Sequence, residues 1–219
     1  MIQLHYAPGN ASLVVHLVLE EIGAPFELKL VDRARSAQKS AQYLALNPNG
    51  LIPVLVDDAA AGGTPLVLYE TAAICLHLAD THPAAALLPA LGTRERAHAY
   101  KWLAWCANTL HPTLGHYFYP ERWAADAAGA ATVKALAEDK VGAMLDQIDA
   151  ELARHGGPWF LGDRFSVVDP YAFVLCRWTR AFARPARVLP NVKPWLDRML
   201  ARPAVQRAFA TEELAAPLV

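Results

Sequence analysis

Sulfur is scarce in this chain, with three cysteines and three methionines among 219 residues. Cys75, Cys106 and Cys176 are odd in number, far apart and set in apolar helical stretches. There is no CxxC pair and no Cys/His run of metal-site spacing, which removes a disulfide framework, a zinc site and a local dithiol from consideration. The thiols read as small buried hydrophobes of a protein kept in a reducing compartment. Charge of one sign is lacking as well: the net charge of −1 argues against a general polyanion binder, so no nucleic-acid partner is expected, although a local basic patch stays open. No run approaches the roughly 18 apolar residues that span a bilayer. Met1-Ile2-Gln3-Leu4-His5 lacks the basic start and apolar core of a signal segment. A cytoplasmic protein with no membrane partner is the expectation. What is present is core material, 54% apolar residues, enough for one large domain or two small ones and too much for disorder.

The first eighty or so residues alternate strand and helix signals. Ile2–Tyr6, Phe26–Leu30, Val54–Val56 and Leu66–Tyr69 read as strands, with a Gly62-Gly63 hairpin before the last. Ser12–Ile22 is an apolar helix stopped by Gly23 and Pro25, and Thr71–His82 is a second, ended by Pro83. This order predicts a small mixed sheet with helices packed on it. Beyond Pro83 only helical patterns remain: Arg94 to about Tyr117, Val133–His155, Ser166–Ala183, Val192–Ala201 and Ala204–Ala210. The expected organisation is an α/β domain over residues 1–82, a linker over 83–92 and an all-α domain over 93–219.

Chemistry concentrates in a few segments. In Asn47-Pro48-Asn49-Gly50-Leu51-Ile52-Pro53-Val54-Leu55 a turn feeds a strand through a proline, which has no N–H for a ladder. A tight turn there, of the kind that admits a cis bond, leaves the backbone N–H and C=O of Ile52 free to pair with an extended peptide. In Tyr69-Glu70-Thr71-Ala72-Ala73-Ile74 a strand ends in an acid and a hydroxyl at a helix start. Thr71 then lies where free N–H groups and the dipole favour a carboxylate, and Glu70 can hold an ammonium. Together these suit a small zwitterionic peptide.

Within His5-Tyr6-Ala7-Pro8-Gly9-Asn10-Ala11-Ser12-Leu13, Ser12 or Asn10 either caps the first helix or donates to a thiolate held at its start. Arg35 and Lys39 are solvated charges by default, or partners for a far carboxylate. Pro112 removes a hydrogen bond from the long helix and should kink it, which leaves His111 either at a cleft or in partly buried packing. Tyr117, Phe118, Tyr119 and Trp178 line an apolar pocket or fill a core. The other histidines show no metal spacing, and no metal is expected. Ser166-Val167-Val168-Asp169 has the form of a capping box.

These motifs, with Phe160-Leu161-Gly162-Asp163-Arg164-Phe165-Ser166-Val167-Val168-Asp169, resemble the glutathione transferase superfamily along essentially the whole chain. Tyr6 to Leu13, Leu110-His111 and Arg177-Trp178 make the chain most similar to the bacterial beta class. The resemblance implies a thioredoxin-like N-terminal domain that binds glutathione as co-substrate, an all-helical domain that supplies an electrophile pocket, a homodimer and a role in detoxification. It assigns Ile52, with Leu51 and Pro53, to pairing with the cysteinyl unit and Glu70 and Thr71 to the γ-glutamyl end. It gives Arg35, and with it Lys39, to the glycyl carboxylate, sets His111 beside the thiol, and has Asn108 or Thr109 reach across the dimer. Pro8, Gly9, Leu114, Tyr117, Phe118 and Trp178 are the expected pocket residues. The chain departs from the class at Ala11, where a cysteine is usual, at Pro112, where a lysine is usual, and at Leu51, where a polar residue is common. Without a thiol at Ala11 no mixed disulfide forms there. Ser12 is then the first candidate thiolate stabiliser, with Asn10 and His111 behind it. Conjugation of glutathione to small apolar electrophiles ranks above glutathione-dependent peroxide removal or disulfide reduction, and above a non-catalytic binding or interaction protein.

Overall fold

Alternating apolar and polar residues in Ile2–Tyr6 and Phe26–Leu30, and mostly apolar runs in Val54–Asp57 and Leu66–Tyr69, form strands β1 to β4 of a sheet ordered β2-β1-β3-β4. In the computed structural model, which describes residues 1–58, 60 and 63–219, β1 and β2 are parallel and β3 is antiparallel to β1 and to β4. Helix α1 (Ser12–Ile22) makes the crossover between the parallel strands, a connection too long for a hairpin. Helix α3 (Thr71–Thr81) follows β4, which completes a thioredoxin-like order. Of the expected Gly62-Gly63 turn, Gly62 lies outside the described residues, while Gly63 takes φ +75°.

A short helix, α2 (Ala41–Leu44), precedes β3 and is started by Ser40, whose Oγ accepts from the Tyr43 N–H at 3.2 Å. It is too short for periodicity to reveal. Its Tyr43 packs with Val31 and Val54 on one face of the sheet. Leu4 and Leu55, paired across β1 and β3, are fully buried on the opposite face, since neighbouring strand residues point to opposite sides.

The chain divides into two compact units, residues 1–87 with 202–215 and residues 88–201 with 216–219. The sequence patterns put everything after residue 92 into the helical domain; the C-terminal helix α9 (Pro203–Thr211) instead belongs with the sheet. The reason lies in α1, where every residue from Ser12 to Leu19 is buried. A helix that is apolar all round needs cover on every side, and α9 packs on it with Ala204, Val205, Ala208 and Phe209 buried. Arg202 Nη2 donates to Glu21 Oε2 and Arg207 Nε to Glu20 Oε2, both at 2.6 Å, and hold the last turn of α1 against α9.

The second unit contains α4 (Arg94–Trp105), α5 (His111–Phe118), α6 (Ala127–His155), α7 (Val168–Trp178) and α8 (Val192–Leu200). The long helix expected from Arg94 to about Tyr117 is interrupted by a π turn at Cys106–Leu110, closed by the His111 N–H on Cys106 O. Pro112 follows at once; without an N–H it cannot continue the regular ladder, and the extra residue in the turn absorbs the mismatch. Helix α6 starts at Ala127 rather than Val133 because Asp126 Oδ1 accepts from the Gly129 N–H at 2.7 Å. Helix α7 gives way to a 3₁₀ turn at Thr179, short of Ala183.

Trp102, Phe160, Trp195 and Phe173 meet edge to face in this unit's core, with centroids 5.0, 5.7 and 6.4 Å apart along the series. Asp169 sits among them, fully buried. Its Oδ1 accepts from the Phe160 N–H (2.8 Å) and Trp195 Nε1–H (3.0 Å), and its Oδ2 from the Ser166 N–H (2.9 Å) and hydroxyl (3.2 Å). Burial pushes this carboxyl up while the four donors oppose that shift. The expected capping box is met only by its acidic half, since the Asp169 N–H donates to the Ser166 carbonyl rather than to its hydroxyl, and that carboxylate ties the loop at Phe160 and helix α8 to the start of α7. Asp169→Ala leaves those donors buried without an acceptor. At about 1–3 kcal/mol for each orphaned group, not fully additive, the expected loss is about 3–5 kcal/mol. Urea unfolding should show it as a lower midpoint at unchanged slope.

Candidate functional site

The strand register brings the chemistry-bearing loops to one end of the sheet. Antiparallel pairing of His5 and of Tyr69 with Val54 sets the C-terminal ends of β1 and β4 beside the N-terminal end of β3. Parallel pairing of Tyr6 with Leu30 adds the end of β2. The Ala7–Ser12 loop, the Asn47–Pro53 loop, the Glu70-Thr71 step and the segment carrying Arg35 and Lys39 therefore leave the sheet from the same edge.

The Asn47–Pro53 loop is built around one carbonyl. Leu51 O accepts from the Tyr43 hydroxyl and from Asn47 Nδ2, both at 2.9 Å. Burial pushes the Tyr43 phenol up to about 12, so it stays a donor at neutral pH. Asn47, 2% exposed, also accepts the Asn49 N–H on its side chain and the Gly50 N–H on its backbone. Gly50 is in the left-handed region at φ +59°, and a Cβ there would lie 2.9 Å from Gln38 O. The Ile52–Pro53 bond is cis. Among the described residues neither the N–H nor the C=O of Ile52 has a hydrogen-bond partner. Leu51 is 56% exposed at the loop's outer surface.

Glu70 sits at φ +74°, ψ +109°, a conformation that a residue with a Cβ adopts at a cost of about 1–3 kcal/mol. It exposes its carboxylate to solvent while placing Thr71 at the start of α3. Thr71 is 5% exposed, and among the described residues its hydroxyl makes no hydrogen bond. Arg35 is exposed, with Nε 3.5 Å from Asp32. Lys39 is turned back onto the loop, where Nζ donates to Asn49 O at 3.2 Å.

Ser12 has a different task from the one its position suggested. It is fully buried, its Oγ accepts from the Ala7 N–H and its hydroxyl donates to Ala7 O, each at 3.1 Å. Both hydrogen-bonding roles are spent on closing the loop, so the hydroxyl does not face a ligand. Asn10 is half-buried at the turn, its N–H on Ala7 O and its Oδ1 accepting from the Ala11 N–H at 2.8 Å. That contact orients the amide, because only the oxygen can face an N–H, and among the described residues nothing accepts from Nδ2. Ala11 itself is 4% exposed. Pro8 is exposed, and the Gly9 N–H donates to Glu212 Oε2 at 2.8 Å.

In the helical unit, His111 is half-buried with Nδ1 3.0 Å from the Tyr171 hydroxyl and its ring edge-on to Trp178 at 5.0 Å. Burial pushes its pKa down to about 4, so it is neutral at pH 7. Phe118 packs on Tyr117 and Trp178, and Tyr117 on Phe182 at 4.1 Å, which gathers three of the four expected aromatics, while the ring of Tyr119 lies under the Arg122 guanidinium. Leu114 is an exception: fully buried, it is core rather than pocket wall. Asn108 is exposed, and the carbonyl of half-buried Thr109 accepts from the Thr113 hydroxyl. Tyr43, His16 and Glu212 were not singled out from the sequence. Glu212 pairs with residues some two hundred positions away, a distance at which no local pattern can signal a partner.

A thioredoxin-like sheet whose loop end offers unpaired backbone beside a helix N-terminus, followed in the chain by a helical unit, is the two-domain arrangement that the resemblance to glutathione transferases implies. Family models agree: the glutathione S-transferase N-terminal domain matches residues 10–81 and the C-terminal domain residues 104–203. The chain belongs to the glutathione S-transferase family. Glutathione S-transferase GST-4.5 of Xanthomonas campestris pv. campestris is 34% identical over 97% of this chain and 99% of its own. The disulfide-bond oxidoreductase YfcG of Escherichia coli K12 is 31% identical over 98% and 97%. A crystal structure of a glutathione transferase homologue from Sulfitobacter with bound glutathione matches with a TM-score of 0.87 at 29% identity, covering 98% of this chain and 99% of that one.

The lowered pKa of His111 has a sign that can be checked. Between about 4 and the ordinary value of 6.5 the unfolded chain holds a proton that the native chain does not. Its contribution is therefore intact above pH 6.5 and lost as pH falls toward 4. An NMR titration of the His111 Cε1–H signal should show no imidazolium at pH 6, and His111→Gln should flatten the stability slope in that window.

Proposed function

We propose that the chain conjugates the glutathione thiolate to small apolar electrophiles. The observation that carries this reading is the unpaired Ile52 backbone at the same sheet end as Thr71 and the Asn10 amide. Glutathione fits it in pieces. The cysteinyl N–H and C=O complete the edge at Ile52 in the manner of an added strand. The γ-glutamyl carboxylate takes the hydroxyl of Thr71 and the first N–H groups of α3, and its ammonium pairs with Glu70. Arg35, or Lys39 if it leaves Asn49, is assigned to the glycyl carboxylate. The thiol then belongs at the start of α1. There the donor with free N–H is Asn10 Nδ2 rather than the Ser12 hydroxyl, and together with the helix dipole it stabilises the thiolate over the thiol.

The electrophile's apolar contacts are assigned to Tyr117, Phe118 and Trp178 of the helical unit. His111 contributes as a neutral polar group, since burial denies it a charge at pH 7. A homodimer in which Asn108 or Thr109 serves the neighbouring site, a cytoplasmic location, a detoxification role and kinship with the bacterial beta class belong to the same reading. Disulfide reduction is the second reading, favoured by the 31% identity to YfcG. Burial pushes the thiols of Cys75 and Cys176 up to about 12 and Cys106 is also buried, so such chemistry would run on glutathione sulfur alone.

Ultraviolet titration of bound glutathione tests the main reading. Its thiol should ionise at least about one unit below the ordinary thiol value of roughly 8.5. Asn10→Ala should cancel most of that shift and lower kcat about tenfold to a hundredfold with little change in glutathione affinity. Ser12→Ala should act chiefly on stability. A bound thiol that titrates like free glutathione defeats the conjugation reading. Thr71→Val should weaken glutathione binding about tenfold by calorimetry while leaving the fold intact.

A further inference from the structure

The loop that carries Asn10 is held from the far end of the chain. Glu212, 3% exposed, follows α9 and directs its carboxylate at the start of α1. One oxygen, Oε2, accepts from the Gly9 N–H at 2.8 Å, and the other, Oε1, accepts from His16 Nδ1–H at 2.8 Å. His16 has no exposure, lies one helical turn into α1, and is walled by the rings of Tyr6 and Phe26. Its Nε2 is 3.9 Å from Glu20 Oε1, beyond hydrogen-bond reach. The Glu212 carboxylate therefore has two fixed partners, one on the loop and one on the helix that the loop opens.

Gly9 is the residue between Pro8 and Asn10 and stands in the left-handed region at φ +65°. Its neighbours on the inner side are pinned by Ser12, whose hydroxyl bonds both polar groups of Ala7. On the outer side Glu212 supplies the corresponding tie. A carboxylate accepting from a backbone N–H is a strong, directional contact, and here it is sheltered from water. Burying a carboxylate for this purpose is costly unless it is paired, and His16 provides the pairing.

We propose that Glu212 is a positioning residue for thiol activation: by holding Gly9 against His16 it sets the turn that aims the Asn10 amide at the glutathione sulfur. This rests on the reading of Asn10 as the donor. The C-terminal segment 202–215 then has a purpose beyond covering α1. Its two arginine pairs, Arg202 with Glu21 and Arg207 with Glu20, dock the helix; Glu212 ties the loop itself.

The experiment compares Glu212→Ala, Glu212→Asp and Glu212→Gln with Arg207→Gln, which loosens the same helix at an exposed pair. Hydrogen exchange of the Gly9 to Ala11 amides is read on the ligand-free protein, and kcat, glutathione affinity and the bound thiol pKa on the complex. Glu212→Ala should speed exchange at Gly9 at least about tenfold, raise the bound thiol pKa by about one unit and lower kcat about tenfold, with affinity changed less than about threefold. Glu212→Asp, one methylene short of spanning both partners, should do the same to a smaller extent and serves if the alanine variant does not fold. Glu212→Gln keeps an oxygen for Gly9 and should recover most of the wild-type thiol pKa. Arg207→Gln should leave exchange at Gly9 and the thiol pKa unchanged. Unchanged loop exchange and thiol pKa in the alanine or aspartate variant overturn the proposal, as does an equal effect from Arg207→Gln. Faster loop exchange in a protein whose wild-type thiol is not acidified would instead sink the Asn10 reading and leave the tie from Glu212 to the loop standing.

Discussion

Everything at the candidate site depends on β3 running antiparallel to both of its neighbours. That pairing turns loops that are dozens of residues apart into one rim. Had β3 run parallel to β1, the Asn47–Pro53 loop would open at the opposite end of the sheet, far from Thr71 and Asn10. Pro53 marks the boundary, since it cannot donate to the ladder and leaves Ile52 just outside it. The unpaired N–H and C=O of Ile52 follow from where the ladder starts.

Around that rim the structure spends its buried polar groups on holding backbone still. Tyr43 and Asn47 hold the Leu51 carbonyl, Ser12 holds Ala7, and Glu212 holds Gly9. None of these side chains needs to touch a substrate to matter. A backbone that pairs with a peptide, or aims a donor at sulfur, works only if its geometry is set before the ligand arrives. Among the described residues, the Asn10 Nδ2 and the Thr71 hydroxyl of this rim keep hydrogen-bonding capacity unused. The helical unit follows the same economy, with Asp169 satisfying four donors at the heart of an aromatic core.

Much of this was legible in the chain. The strands emerged with their ends nearly right, because short alternating or apolar segments flanked by glycine and proline leave little choice. The Ile52, Glu70 and Thr71 assignments rest on neighbours in sequence, and the sheet brings them to one edge. The failures have physical causes too. Ser12 looked like a donor because a hydroxyl at a helix start can cap, donate or lock a loop, and only its distances to Ala7 distinguish these. Leu114, given to the pocket by the resemblance, lies in the core, and a helical stripe reads the same whether it faces a cleft or a core. The π turn before Pro112 was reduced to an expected kink, since an inserted residue changes no side chain. Helix α9, counted with the helical domain by its position in the chain, packs on α1, because an amphipathic stripe says that a helix is covered and not by what.

The sequence by itself determined the local elements, the edge left open at Ile52 and the family to which the chain belongs, because these depend on residues within a few positions of each other. It could not determine which of the polar groups near α1 keeps a free proton, or that residue 212 reaches back to residues 9 and 16. Those outcomes depend on contacts between segments brought together by burying α1, and hydrogen-bonding capacity is decided only when the partners are in place.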